Sequence, residues 1–394
     1  MNLNRTIVLL FLLMTFSTLS AQTVRVTAIG DIMAHLELQK FAQSQPDGYK
    51  CLFADVQQYF NNDDLTIANL EVPVCDSRPI SGYPRFNAHS ELTEAVKKAG
   101  IELVSLANNH AFDQTADGVR GTLDAVNRAG IMHNGTGLTP NEARQPLFFD
   151  VNGVKIAFLS VTFSVNYIKM PEEDDKPFVH IIDMTGKEHS ASEMAFLRLV
   201  KETKQKCDAV IVALHFGEEY TYRPSDKDTE YLFMLAEWGA DVILGGHPHV
   251  LHKAITHQTK DGRDVLIFKS LGNFISAQAR YFSIKSKPLT FDNLKDCVEI
   301  RTAESIIAKF DIIKDGNSII VKNESMIPIF NVRFPIDNDD ISFGFRLLEM
   351  PTVFDKNFDD KRITEMEHFD LLKKLVRFRY FHLPGITELV YYKE

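Results

Sequence analysis

The sequence predicts an α/β fold with its functional residues gathered on one edge of a sheet, and three observations lead there. Between Thr23 and Phe274 an amphipathic helix, a glycine, a short apolar strand and a polar cluster recur in that order. The strands are continuous apolar runs, as in sheets covered on both faces. Each run ends on residues that ligate metals or move protons, and the carboxyl edge of a sheet is where α/β folds place their sites.

The elements follow in chain order. The run 24–29 is read as a strand that delivers Asp31, and the run 65–68 delivers Asn69 and Glu71. Ser90 is expected to cap a helix with Glu91 and Glu94 in its first turn and Leu92, Ala95, Val96 and Ala99 along one stripe; Gly100 ends it. A strand at 101–106 then carries Asn108, Asn109 and His110, and the run 210–214 ends at His215. In the stretch from Thr229, Leu232, Leu235 and Ala236 mark a helix face and Gly239 stops it. The strand 242–244 leads into Gly245, Gly246, His247, Pro248 and His249. Beyond Phe274, alternation at 305–313 and 318–321 around Asp315-Gly316-Asn317 predicts a sheet edge or a hairpin that closes the same domain. A helix at 365–379 carries Leu371, Leu372, Leu375 and Val376 on one side, the pattern of core packing.

Domain organisation and compartment come from the ends of the chain. Asn4 and Arg5 precede an apolar stretch at 7–16 and small, polar residues at 17–22, the order of a secretory signal peptide cut after Ala21. That stretch is short for a bilayer span, and no later segment is long and apolar enough to make one. The expected organisation is a signal peptide at 1–21, one domain at 22–335 and an extension at 336–394 that packs on it. The protein is expected to be exported, periplasmic or extracellular, with no stable membrane span after cleavage. A net charge of −10 argues against a nucleic-acid partner, which calls for a basic face. Cys51, Cys75, Cys207 and Cys297 show no CxxC spacing, so a zinc-thiolate site is not expected. Cys51 and Cys75 are the nearest pair for a disulfide, with four free thiols as the alternative.

The polar clusters suit a binuclear metal centre. Asp31 is a hard anionic ligand behind Gly30, a glycine that lets the backbone approach closely. Glu71 can bridge two cations through its two oxygens, Asn109 offers an amide oxygen, and His215, His247 and His249 offer imidazoles that suit zinc, manganese or iron. A single histidine after a strand is ordinarily structural. A set of such donors at equivalent strand ends points instead to two cations that lower the pKa of water and hold the scissile group. His110, beside Asn109, is the candidate acid for the leaving group.

Six motifs in order, Gly30-Asp31, Asn69-Leu70-Glu71, Leu106-Ala107-Asn108-Asn109-His110 with Asp113, His215-Phe216-Gly217 with Glu219-Tyr220, Gly246-His247-Pro248-His249-Val250 and Ser270-Leu271-Gly272-Asn273-Phe274, resemble the CapA family. These are poly-gamma-glutamate capsule biosynthesis proteins related to the calcineurin-like metallophosphoesterases. The likeness covers residues 24–280, and more weakly the strands to about 335. It implies a four-layer α/β/β/α sandwich and two divalent cations, manganese, zinc or iron. Asp31 and His249 would hold one, Asn109, His215 and His247 the other, and Glu71 would bridge. His110 would be the acid, with Asn69, Asn108, Asp113, Glu219 and Asn273 contacting substrate or supporting the ligands. Two positions depart from the phosphoesterase pattern: Met33 stands where a histidine is expected, with His35 the nearest substitute, and Glu71 replaces an aspartate. The function implied is metal-dependent hydrolysis of a phosphoester or an amide-linked envelope polymer in capsule or poly-gamma-glutamate metabolism. The alternative is a non-catalytic binding component of polymer synthesis or export. A sugar- or peptide-binding module without metal would leave the clustered imidazoles unexplained.

Overall fold

A computed structural model describes residues 21–166, 170, 176–186, 188–278, 289–336, 340–341 and 343–383. The expected signal peptide, apart from Ala21, lies outside the described residues, and no described helix is long and apolar enough to cross a membrane.

Two sheets form the centre. The first runs in the order Gly344–Glu349, Ser318–Phe334, Glu304–Asp315, Gln22–Ile32, Leu65–Leu70, Leu103–Ser105 and Met132–Asn134, with the short strand Asn273–Ile275 also paired to Gln22–Ile32. Its strands from Gln22–Ile32 to Met132–Asn134 are parallel, whereas the three C-terminal strands are antiparallel. The second runs Ala254–Gln258, Asp264–Phe268, Val242–Gly246, Ala209–His215, Val154–Thr162 and Leu147–Val151. Its inner four strands are parallel and its two edges antiparallel.

Side-chain alternation along the second sheet divides two layers of core. Ile156, Phe158, Ile211, Val242, Leu244 and Phe268 join the cluster shared with the first sheet, where Phe268 meets Phe310 at a ring distance of 6.0 Å. Their neighbours Ala157, Leu159, Val210, Val212 and Ile243 pack the other way, on Phe196, Leu197 and Val200 of helix Ala191–Lys204 and on Leu232 and Leu235 of helix Asp226–Glu237. A period of two thus buries both faces of one strand against different partners. Helices Glu91–Ala99 and Thr115–Ala129 add Leu92, Val96, Val119 and Val126 to the core of the first sheet. The result is the four-layer α/β/β/α sandwich that the family resemblance implies.

Several details differ from expectation. Ser90 makes no side-chain cap; its N–H donates to Asp76 Oδ1 at 2.7 Å, while Gly100 does end the helix in the left-handed conformation. The helix expected near Thr229 starts at Asp226, because Ser225 and Asp228 form a capping box. The hairpin Glu304–Asp315 and Ser318–Phe334 lies inside the first sheet, since Glu304–Asp315 pairs with Gln22–Ile32 and Gly344–Glu349 takes the edge. The helix expected at 365–379 runs Phe369–Tyr380, burying Leu372, Leu375 and Val376, and a separate short helix, Lys361–Thr364, precedes it. All four cysteines are free thiols, so Cys51 and Cys75 are not joined.

Candidate functional site

Donors from five strand ends meet between the sheets' carboxyl edges. Asp31 lies near the end of Gln22–Ile32, Asn69 near the end of Leu65–Leu70, and Glu71 just beyond it. Asn108, Asn109 and His110 follow Leu103–Ser105; His215 closes Ala209–His215; His247 and His249 follow Val242–Gly246. All of these except Asn69 are buried.

Close backbone approach makes the convergence possible. The Asp31 N–H donates to Gly272 O at 3.0 Å, and a Cβ on Gly30 would come within 1.9 Å of that oxygen. Gly246 faces the donors, where a Cβ would sit 2.9 Å from Asp31 Oδ1 and 3.3 Å from His215 Nδ1. His247 and His249 have φ of 94° and 59°, a left-handed backbone costly for residues with a Cβ. Strain of that kind persists where surrounding structure imposes it, commonly at functional sites.

Two sets of ligand atoms fall within 4.8 Å of one another, Asp31 with Glu71 and His215, and Glu71 with His247 and His249. Glu71 is common to both. The division implied by the resemblance, Asp31 with His249 and His215 with His247, joins residues that also touch, with His249 Nδ1 3.5 Å from Asp31 Oδ2 and the His215 and His247 rings 4.9 Å apart. Asn109 joins through its oxygen, 2.9 Å from His215 Nε2. His35 belongs to neither set. Its Nδ1 lies 3.1 Å from Met33 O, its ring packs edge-on against Phe86, and Met33 is buried in the core.

Most of the expected supporting residues touch the donors. Asn69 Nδ2 donates to Asp31 Oδ1 at 2.8 Å, and Asn108 Nδ2 reaches Asn69 Oδ1 at 3.3 Å and Leu70 O at 2.9 Å. Asn273 Oδ1 is 3.0 Å from His249 Nδ1, while its Nδ2 donates to Thr302 O and Gln278 Oε1. Asp113 Oδ2 lies 2.7 Å from His110 Nδ1 and also accepts the Phe86 N–H, which leaves His110 Nε2 free of that carboxylate. Glu219 is different: it is exposed, and its charge acts on Glu71 from outside the cluster.

Asn166, not anticipated from the sequence, lies against both Asn109 and His110, at 3.1 Å and 3.4 Å. The ring of Phe163 packs on His247 at 4.7 Å. Both follow Val154–Thr162, an apolar run that ends on a polar cluster like the others, so the same pattern was present at this strand.

The electrostatics describe a place prepared for cations. Burial, then the charge of Asp31, pushes Glu71 well above the usual carboxylate range. Burial also raises Asp31, but His249 and His215 outweigh it and leave Asp31 below its ordinary value. Burial lowers His215 to about 3 and His247 well below 6.5, with neighbouring imidazoles adding to the effect. Asp31 Oδ2, Glu71 Oε1 and His247 Nδ1 are buried and lack a hydrogen-bond partner. Orphaned buried atoms of this kind are costly. Oxygen and neutral imidazole donors converging on one space fit a divalent ion, whose charge would draw the proton from Glu71.

Residues 25–278 match the family described as Bacterial capsule synthesis protein PGA_cap. The chain is 30% identical over 282 residues to the capsule biosynthesis protein CapA of Bacillus anthracis, covering 70% of this chain and 65% of that one. It is 27% identical over 265 residues to the PGA biosynthesis protein CapA of Bacillus subtilis (strain 168), covering 66% and 65%. Both matches therefore span slightly under two thirds of the relative's length. The solved structure of a hypothetical protein from Thermus thermophilus aligns at a TM-score of 0.43 and 16% identity, covering 77% of this chain and 99% of that one.

Proposed function

The chain belongs to the PGA_cap family of bacterial capsule synthesis proteins, and from that membership we propose that it is an exported, metal-dependent hydrolase of capsule or poly-gamma-glutamate metabolism. The observation that supports the catalytic part is the convergence of two buried carboxylates on three histidines, with Asp31 Oδ2 3.5 Å from His249 Nδ1 and Glu71 Oε1 3.4 Å from His215 Nε2, and neither oxygen in a hydrogen bond. Export rests on the signal-like order of the first 21 residues.

Asp31, Glu71 and His215 would hold one divalent ion, Glu71, His247 and His249 a second, and Asn109 would contribute its oxygen. Manganese, zinc or iron, when bound, supplies Lewis acidity and water of lowered pKa. The chain's own residues do the rest. Asn69 orients Asp31, and Asn273 takes up His249 Nδ1 so that Nε2 remains for a ligand role. Asp113 holds His110 through Nδ1, leaving Nε2 to deliver a proton to a leaving group. The substrate is a phosphoester or an amide-linked envelope polymer. The site's walls, including Phe163 on His247 and Phe86 on His110, keep bulk water from the donors.

One observation favours a second reading, a non-catalytic component that binds the polymer during synthesis or export. Met33 is an apolar core residue where the phosphoesterases place a histidine, and His35 does not replace it. The test is metal content per chain on freshly purified protein, followed by turnover of a generic phosphodiester and a γ-glutamyl peptide with and without manganese. Bound metal and manganese-dependent turnover that disappears in His247→Ala are expected. Protein without transition metal, and with activity unaltered by His247→Ala, would overturn the enzyme reading.

A further inference from the structure

We propose that Asn166 is a positioning residue that sets which way the Asn109 amide faces, turning its oxygen into the donor cluster; this rests on the metal-centre reading above. An asparagine side chain has two ends of opposite character and nearly equal size. Only the oxygen is useful toward a cation, and the NH2 end would oppose one. Nothing in Asn109 itself selects between them.

The selection comes from outside. Asn166 Oδ1 accepts from Asn109 Nδ2 at 3.1 Å, and an acceptor at that position can be satisfied only by the NH2 end. The opposite end of the same amide is then 2.9 Å from His215 Nε2. Asn166 is itself well placed. Its φ is 57°, a left-handed conformation that asparagine tolerates better than most residues, and its N–H donates to Ser164 Oγ at 3.0 Å. The segment leading to it is registered on His215, because Phe163 N and Thr162 Oγ1 both donate to His215 O, at 3.3 and 3.4 Å. The strand that supplies His215 therefore anchors the loop that orients Asn109. The other face of Asn166 lies against His110, where Nδ1 is already engaged by Asp113 Oδ2, so the 3.4 Å approach there is packing rather than a second directed bond.

The test compares Asn166→Gly, which removes the acceptor while accepting the left-handed backbone, with Asn166→Asp, which retains an acceptor oxygen and also tolerates that backbone. Two quantities are read: Mn2+ affinity by calorimetry, and hydrogen exchange of the Asn109 side-chain NH2 in the metal-free protein by NMR, its signal assigned by its loss in Asn109→Asp. Asn166→Gly should weaken Mn2+ binding by about tenfold and speed exchange of the Asn109 amide, and Asn166→Asp should restore both toward wild type. Wild-type affinity and exchange in Asn166→Gly would overturn the proposal, as would equal losses in the two variants. Wild-type protein that takes up no Mn2+ would sink the metal-centre reading instead, and the exchange measurement on the metal-free chain would still decide the role of Asn166.

Discussion

Asp241 and the pair Asp31 and Glu71 are buried carboxylates at opposite ends of strands in the same sandwich, and they are treated in opposite ways. Asp241, just before Val242–Gly246, receives Lys204 Nζ at 2.8 Å, the Val210 N–H at 2.7 Å and Arg263 Nη1 at 3.4 Å. Glu304 is likewise matched by the buried Arg379, with Nη2 donating to Oε2 at 3.1 Å. Asp31 and Glu71 sit at the carboxyl edge, and among the described residues no lysine or arginine pairs with either. Their neighbours are a neutral amide, Asn69, and the imidazoles of His215, His247 and His249. Where this chain needs a carboxylate for architecture it supplies the cation itself. At the carboxyl edge it supplies none, and burial together with Asp31 pushes Glu71 well above the usual carboxylate range instead.

The strongest way to break that comparison is to remove a carboxylate at each end. Asp241→Ala strands Lys204 and Arg263 and should cost about 3 kcal/mol in urea unfolding. Glu71→Gln in the metal-free protein should change stability by less than about 1 kcal/mol, because it removes a carboxyl group that has no cationic partner. Equal losses would mean that the two ends are not different in kind. A slightly smaller effect is expected from metal. Mn2+ at a hundred times its Kd should stabilise the wild type by about 2.7 kcal/mol, and both Glu71→Gln and His247→Ala should lose most of that gain in thermal melts.

pH sharpens the contrast between site and scaffold. Burial lowers His180, outside the donor cluster, to about 4, and His215 to about 3. A histidine whose folded pKa lies below the unfolded value of about 6.5 favours protonation of the unfolded chain. Its penalty is absent at neutral pH and grows as pH falls from about 6.5 toward the folded value, at about 1.4 kcal/mol per unit for each group. Urea midpoints of metal-free protein should fall over that window, and His180→Phe should remove one histidine's share of the slope. Bound Mn2+ should oppose only the share contributed by the site, until protons displace it. The smallest effect is expected at the cap of helix Ala191–Lys204, where Ser190→Ala should cost about 1 kcal/mol and leave Mn2+ affinity untouched.

Much of this was legible along the chain. Apolar runs show where strands stop, glycines where helices end, and polar clusters after them which side chains reach the carboxyl edge; all are local patterns readable at periods of 2 and 3.6. That is why Asp31, Glu71, Asn109, His215, His247 and His249, which the structure brings together, could be read as candidates from strand ends. The apolar run ending at Thr162 carries the same pattern, with Asn166 four residues beyond it. Its contact with Asn109 was not legible there, because it joins residues 57 positions apart.

Sequence by itself determined the α/β class and which polar residues follow the strand ends at one sheet edge, because periodicity records which faces are buried and where each strand ends. Tertiary structure alone decided that Asp31, Glu71 and the three histidines come within contact distance, that Met33 fills the core while His35 turns to Phe86, and that the C-terminal hairpin lies within the sheet rather than at its rim. Those outcomes depend on which strands become neighbours and how closely their backbones approach. Such relations are long-range, and local pattern does not encode them.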